Sequence, residues 1–272
     1  MNHLINVIKN TVAHNHSLPF SVYSSIKEQK LLNVPVVKPV FIAVLDGNKK
    51  LSQGSEITCN AGDFIFLSAN PAINMRNIPK ENEYFALLID FDYQDFAGLE
   101  IQSTNQKHFC VGKITQTLEK CLQQFIEWSC WAPQELWSLR RKEILQILYY
   151  LGYTEILSMA VNPNITQRLH AILTKLIVKQ SSQEITMEYI CQQLAMSEST
   201  LRRKLKSEGT TIQDIKDQVK LGLGLHLLQT TLDPIGMIAQ KSGYYSQSKF
   251  TERFKRRFGL TPSELRKTRM AG

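Results

Sequence analysis

The stretch DPIGMIAQKSGYYSQSKFTERFKRRFGLTP, from Asp233 to Pro262, decides how this chain is read. Asp233 is a residue type that caps helices, and Pro234 suits a first helical position, where a missing amide costs nothing. Gly243 allows a sharp break in the backbone. A second helix from about Ser246 to Phe258 then puts Phe250, Phe254 and Phe258 on one face by four-residue steps. Beside that aromatic stripe run Ser248, Thr251, Glu252 and Lys255, with Arg253, Arg256 and Arg257 around them. The pattern predicts a helix-turn-helix whose second helix offers groups that bond base edges and phosphates.

The motif has an earlier copy. After Thr186, MEYICQQLAMSESTLRRKLKSEG repeats it in outline: Ile190 matches Ile238, and Leu201 and Leu205 match Phe250 and Phe254. The offset is 48 residues before the turn and 49 after it, so the second copy carries one extra turn residue. Transferring the register gives Ser199, Arg202, Arg203 and Lys206 as the first copy's outward stripe. Between the copies, TIQDIKDQVKLGLGLHLLQTT predicts a connecting helix of about 19 residues, which spans about 28 Å. That is close to the roughly 34 Å between successive major-groove faces of a duplex. Gly222 and Gly224 each cost such a helix about 1 kcal/mol relative to alanine. Close helix packing explains them, and a flexible point is the alternative.

Charge divides the chain in the same place. Residues 1–163 hold 14 Lys and Arg against 15 acids, whereas residues 164–272 hold 18 against 9. The whole basic excess therefore lies with the repeated motif, as expected when one region meets a polyanion. No segment approaches about 18 consecutive apolar residues, and MNHLINVIKNTVAHNH lacks the apolar core of a signal peptide. The five cysteines, Cys59, Cys110, Cys121, Cys130 and Cys191, share no CxxC spacing and read as reduced thiols. A cytoplasmic, non-membrane protein is expected.

Residues 1 to about 110 read as β-rich. Runs from Pro39 to Asp46, Ser55 to Cys59, Asp63 to Ser68 and Tyr84 to Phe91 are rich in Ile, Val and Phe. Asp46-Gly47-Asn48, Asn60-Ala61-Gly62-Asp63 and Asn70-Pro71 supply turns, which predicts an antiparallel sandwich or small barrel. Such barrels can be metal enzymes, yet Val36 to Phe96 contains no histidine; His14, His16 and His108 lie outside it. No metal, cofactor or catalytic residue is expected, and His14-x-His16 reads as a polar N-terminal segment. From Lys113 the period becomes helical. Ile114, Leu118, Cys121, Leu122, Phe125 and Ile126 share one face, and a second helix runs from about Gln134 to Leu151. These helices either cover the barrel or self-associate, with Leu118, Leu122, Phe125, Leu148 and Leu151 as candidate dimer contacts. Residues 156–164 read as a linker, and a further helix starts at Ile165 and ends by Ser181-Ser182-Gln183.

At these residues the chain resembles the AraC/XylS family of bacterial transcription regulators. The likeness rests on Ile238-Ala239, GYYSQSKFTERFKRRFG from Gly243 to Gly259, Thr261-Pro262, Leu265-Arg266, and Lys220-Leu221, Gly224 and Leu227-Leu228 in the connecting helix. It covers roughly residues 165–269. LAMSESTLRRKLKSEGTT looks most like the acid-resistance and virulence regulators of enteric bacteria, with Ala195 where a turn glycine is common. More loosely, GNKKLSQGSEITCNAGDFIFLSA, YFALLIDFD and RRKEILQILYYLG resemble the family's effector and dimerisation domain.

The resemblance implies an α+β chain. A cupin-like antiparallel jelly-roll with two following helices (residues 1–155; barrel about 1–110, helices about 113–151) precedes an all-α domain with two helix-turn-helix motifs (residues 165–272). It implies that Ser199, Arg202, Arg203, Gln247, Ser248, Thr251 and Glu252 face the major groove, while Lys206, Lys249, Arg253, Lys255 and Arg256 hold phosphate. The partners it implies are promoter DNA, RNA polymerase, a second copy of the chain, and a small-molecule effector or a regulatory protein. A repair enzyme fused to a DNA-binding domain is a further reading, but it wants clustered cysteines and these are dispersed. Lys38 and Arg76, near strand ends, are types that can meet an effector carboxylate; no pocket residue is assigned.

Overall fold

The computed structural model describes residues 1–14, 17–53, 55–99, 108–159, 164–178 and 186–269. His16, residues 160–163 of the expected linker, and Ser181-Ser182-Gln183 lie outside the described residues. The chain opens with a helix that the β-rich reading did not foresee, α1 (Asn2–His14), which buries Leu4, Ile8 and Thr11 on one face. Nine strands follow among the described residues: β1 (Ser21–Ser25), β2 (Gln29–Val36), β3 (Val40–Asp46), β4 (Asn48–Gln53), β5 (Ser55–Asn60), β6 (Asp63–Leu67), β7 (Asn70–Ile78), β8 (Tyr84–Asp90) and β9 (Phe109–Lys113). They form two antiparallel sheets, ordered β1-β8-β3-β6-β9 and β2-β7-β4-β5, in a jelly-roll-like arrangement. Asn70-Pro71, expected as a turn, instead starts β7.

Strand β3 shows how the sheets find their partners. Successive side chains alternate faces: Phe41, Ala43 and Leu45 join one core with the helices, while Val40, Ile42 and Val44 join the other, toward the second sheet. Helices α2 (Gln116–Ser129) and α3 (Trp137–Tyr150), with the short α4 (Glu155–Ser158), pack on the first face. A 3₁₀ turn, Gln134–Leu136, leads into α3. Four of the residues expected at a dimer interface are spent here. Leu118, Leu122 and Leu148 are 0% exposed and Phe125 is 1% exposed, because they fill the chain's own core. Leu151 is half-buried against the same cluster. They offer no surface to a partner; the exposed apolar side chains of this region include Trp131, Leu136, Leu139 and Tyr150.

The rest is helical: α5 (Ile165–Val178), α6 (Met187–Leu194), α7 (Glu198–Ser207), α8 (Ile212–Thr230), α9 (Ile235–Lys241), α10 (Gln247–Phe258) and α11 (Pro262–Arg266). The connecting helix α8 has the expected 19 residues, and Thr211 with Asp214 closes its start as a reciprocal capping box. Among the described residues no helix is long and apolar enough to cross a membrane.

Helix α8 runs through two separate cores. Ile212, Ile215 and Val219 pack with Leu169, Leu173, Ile190, Leu194, Leu201 and Leu205. Leu221, Leu225 and Leu228 pack with Phe250, Phe254 and Phe258, in a cluster that continues into the space between the two sheets. Close packing, and no flexible point, accounts for Gly224: an added Cβ would stand 2.6 Å from Cε2 and 2.8 Å from Cζ of Phe250. Gly224→Ala is therefore expected to lower the unfolding free energy by about 1–3 kcal/mol through overpacking. Helix propensity alone predicts the opposite, a gain of about 1 kcal/mol, so urea unfolding of the variant decides between them.

Candidate nucleic-acid interface

The two helix-turn-helix units share a construction. In the first, Thr186 caps α6 by accepting from the Tyr189 amide at 3.2 Å, and Ser197 caps α7 by accepting from the Thr200 amide at 3.3 Å. In the second, Ser246 caps α10 by accepting from the Lys249 amide at 3.3 Å. The start of α9 differs from expectation. Pro234 itself stands at the cap position without a side-chain bond, and the Asp233 carboxylate pairs with Lys241 Nζ at 2.7 Å. Gly243 turns the second motif at φ +78°. Ala195 makes the equivalent turn in the left-handed region at φ 52°, ψ 47°, its amide donating to the carbonyls of Cys191 and Gln192. The first turn thus keeps its geometry without glycine.

Both outward stripes are open. Ser199, Arg202, Arg203 and Lys206 are exposed on α7; Gln247, Ser248, Lys249, Glu252, Lys255 and Arg256 are exposed on α10, with Thr251 and Arg253 half-buried. Four of the charged side chains are already engaged. Arg202 pairs with Glu198 at 2.7 Å, one turn earlier on α7. Lys249 pairs with Glu252 at 2.9 Å, and that hydrogen bond with the lysine's charge holds the Glu252 carboxyl below its ordinary range, so it stays an acceptor. Arg253 reaches back to Asp217 of α8 at 2.9 Å. It therefore ties the recognition helix to its support, whereas Lys206, Lys255 and Arg256 stand open to solvent.

One residue was not singled out from the sequence. Tyr245, the residue immediately before the α10 cap, is fully exposed. It is the additional turn residue of the second motif, and the signal for it was the change of offset from 48 to 49. Tyr244 beside it turns inward, its ring 5.4 Å from that of Phe250.

The cationic candidates on the barrel are occupied within the chain. Lys38 Nζ pairs with Asp92 at 2.7 Å, and Arg76 pairs with Glu28 at 2.7 Å. Between the sheets lies a buried polar chain. Lys49, 2% exposed, donates to Asn77 Oδ1 at 2.8 Å, and Asn77 donates to Gln29 Oε1 at 2.9 Å. Burial lowers the Lys49 amine to about 8. Where α8 meets β1, the Tyr23 hydroxyl lies 3.3 Å from His226 Nδ1. Burial depresses the basicity of that imidazole and raises the phenol's pKa, which keeps both groups neutral.

The sequence model of a helix-turn-helix domain family matches residues 190–268. Over 131 residues the chain is 28% identical to the HTH-type transcriptional regulator GadX of Escherichia coli, an alignment covering 46% of each protein. Over 143 residues it is 31% identical to the HTH-type transcriptional activator RhaS of Escherichia fergusonii, covering 52% of this chain and 50% of that one. The matched part is thus about half the length of these curated relatives. Among solved structures, ToxT from Vibrio cholerae superimposes over nearly the whole chain. The apo form of a single-residue variant of ToxT gives a TM-score of 0.67 at 16% identity, covering 94% of this chain and 99% of that one. The fatty-acid-bound wild type gives 0.65 at 15%, covering 95% and 98%. At that identity the likeness is one of fold.

The left-handed turn at Ala195 supplies a direct check. A non-glycine residue there costs roughly 1–2 kcal/mol, and the Ala195 side chain is exposed, with no packing to lose. Ala195→Gly is expected to raise the unfolding free energy by about 1 kcal/mol after the entropy of the freer unfolded chain is counted. Denaturant titration measures it.

Proposed function

We propose that the chain is a member of the AraC/XylS family of bacterial transcription regulators, a sequence-specific DNA-binding regulator acting as an activator and governed through residues 1–155. The observation that carries this reading is the pair of capped recognition helices, α7 and α10, both with open polar stripes, in the half of the chain that holds 18 Lys and Arg against 9 acids. Base reading falls to Ser199, Arg202, Arg203, Gln247, Ser248, Thr251 and Glu252. An arginine can bond guanine bidentately, Gln247 suits adenine, and an ionised Glu252 accepts from a cytosine amine. Arg202 and Glu252 must exchange their present partners for bases. Lys206, Lys249, Lys255 and Arg256 hold phosphates, while Arg253 positions α10 through Asp217.

Control by a small molecule is the first reading of the N-terminal half, in keeping with the fatty acid bound by the structurally similar ToxT. The alternative, a protein partner, is favoured by a separate observation. Leu31, Leu51, Ile65, Ile73 and Met75 fill the region between the sheets, whereas Leu136, Leu139 and Tyr150 stand 42%, 58% and 85% exposed by α3. The same exposed face is where self-association would occur, in place of the buried leucines. RNA polymerase is the remaining partner of an activator.

The test is binding of the full chain to fragments of its own upstream region across a range of salt. Arg203→Ala should cost about 1–3 kcal/mol and relax the preference at one base position. Arg256→Ala should weaken binding evenly across sequences and reduce the slope of log K against log salt by about 1. Arg253→Ala should leave that slope nearly unchanged. A protein whose binding showed neither salt dependence nor sequence preference would sink the proposal.

A further inference from the structure

The turn of the second helix-turn-helix unit carries one residue that the first unit lacks. Ala195 and Gly243 take the left-handed conformation at equivalent points. Met196 and Tyr244 follow them, each half-buried against the core of its own unit. In the first unit the helix cap, Ser197, comes next; in the second, Tyr245 intervenes before the cap, Ser246. Tyr245 is fully exposed. A single exposed aromatic is ordinary on a protein surface, and what sets this one apart is the turn beneath it.

That turn is held from three sides. Lys220 of α8 donates from Nζ to the Gly243 carbonyl at 2.8 Å, and the same nitrogen lies 5.7 Å from the centre of the Tyr244 ring. The Gly243 amide donates to the Gln240 carbonyl and the Tyr244 amide to the Ala239 carbonyl, both at 2.9 Å. On the far side Ser246 caps α10, and Tyr244 packs on Phe250 at 5.4 Å. The backbone is thereby fixed before and after Tyr245, whose side chain stands at the leading end of α10 beside the exposed Gln247 and Ser248. We propose that Tyr245 is a specificity-determining residue of the second unit, its ring packing on the C5 methyl group of a thymine in the major groove.

The chemistry of α10 selects that feature of the duplex. A recognition helix sets its N-terminal residues against base edges, and Tyr245 stands at that end. The other candidate readers of the second unit, Gln247, Ser248, Thr251 and Glu252, bring hydrogen-bonding groups. The thymine methyl accepts and donates nothing, and it is read by apolar contact. Tyr245 supplies the largest apolar surface among these residues. Holding phosphate requires no ring, and α10 already offers Lys249, Lys255 and Arg256 for it. The assignment rests on the regulator reading, to which it adds a base preference confined to the part of the site that the second unit reads.

The experiment measures binding of the full chain, as wild type, Tyr245→Phe and Tyr245→Ala, to the fragment of its own upstream region that it binds most tightly. The fragment is synthesised once with thymine and once with uracil in every thymine position, which removes the methyl groups and keeps the base pairing. Wild type and Tyr245→Phe are expected to lose about fourfold more affinity on the uracil fragment than Tyr245→Ala does, the factor that corresponds to about 0.8 kcal/mol for one buried carbon group. Single uracil substitutions should trace that difference to one base pair. Because Tyr245 is fully exposed, its replacement leaves the fold intact, which circular dichroism checks. An equal loss for all three proteins would overturn the proposal. So would Tyr245→Phe matching Tyr245→Ala, which marks a hydroxyl bonded to phosphate, or unchanged DNA binding by Tyr245→Ala with reduced transcription, which marks a protein contact. A wild type that binds without sequence preference sinks the regulator reading and this assignment together; one that keeps its preference while the three proteins respond alike sinks this assignment alone.

Discussion

The arrangement of this molecule depends on one shared apolar core. Phe250, Phe254 and Phe258, the stripe that would close any helix-turn-helix, belong to the same buried cluster as Val40, Ile42 and Val44 of the barrel. Burial of a phenylalanine contributes about 1.5–3 kcal/mol, so prising the second motif from the barrel would expose several such side chains at once. Strand β2 makes the contact. Its register shifts between Leu31 and Val34, a bulge at which Asn33 takes the left-handed conformation at φ 48°. The bulge sets Leu32 close against Gly259, where an added Cβ would stand 3.1 Å from Leu32 Cδ1, and lets Asn33 Nδ2 donate to the Arg257 carbonyl at 3.3 Å. The end of the second recognition helix is thereby held by the barrel.

The first recognition helix is held differently. Its core of Leu169, Leu173, Ile190, Leu194, Leu201 and Leu205 is separate, and α8 reaches both cores: Val219 faces one and Leu221 the other. A rigid α8 makes the two units a single reader with a fixed spacing. Bending it near that change of face would move the first unit while the second stayed on the barrel. Gly222 lies at this place, where an added Cβ would meet Pro35 Cγ of β2 at 3.3 Å. The barrel therefore touches α8 at the level where the cores divide.

The two motifs were legible in the sequence because every part of them is local. Four-residue steps of Leu or Phe, and a turn residue that tolerates the left-handed conformation, Ala195 or Gly243, all act within about a dozen residues. The strands divide on the same principle. Those made of consecutive buried residues, such as DFIFL and YFALLID, announce themselves, while NKKLSQ and SVYSS carry too few apolar residues to do so. Helix α1 carries the same local spacing in Leu4, Ile8 and Thr11, with Ile5 and Val7 half-buried against the same core, but it stands ahead of a β-rich stretch and ends in the polar segment that masks it. The assignment of Leu118, Leu122, Phe125 and Leu148 to a dimer failed for a physical reason: helical spacing reports that a face is buried, never against what. The shared core was invisible altogether, since Val40 and Phe250 lie too far apart in the chain to leave any period. The open stripes on α7 and α10 follow from the register, but the Arg253–Asp217 pair, which engages one of the expected phosphate ligands, needed the fold.

Apolar burial alone does not fix how two bodies are oriented, because it has no direction. The polar chain that starts inside the barrel supplies one. Lys49 bonds Asn77, Asn77 bonds Gln29, and Gln29 is the junction. Its amide nitrogen donates to Thr268 Oγ1 at 2.8 Å, and its oxygen accepts from Gln229 Nε2 at 3.0 Å as well as from Asn77. Gln29, Asn77 and Gln229 are each 1% exposed. A slip of the barrel over α8 would break these bonds out of reach of water, and each lost partner costs about 1–3 kcal/mol. The apolar cluster therefore supplies the adhesion, and the chain through Gln29 selects one register within it. One end of that chain is a buried amine between the sheets and the other lies on α8 and the segment after α11, so an unbroken run of hydrogen bonds joins the barrel's interior to the helical half.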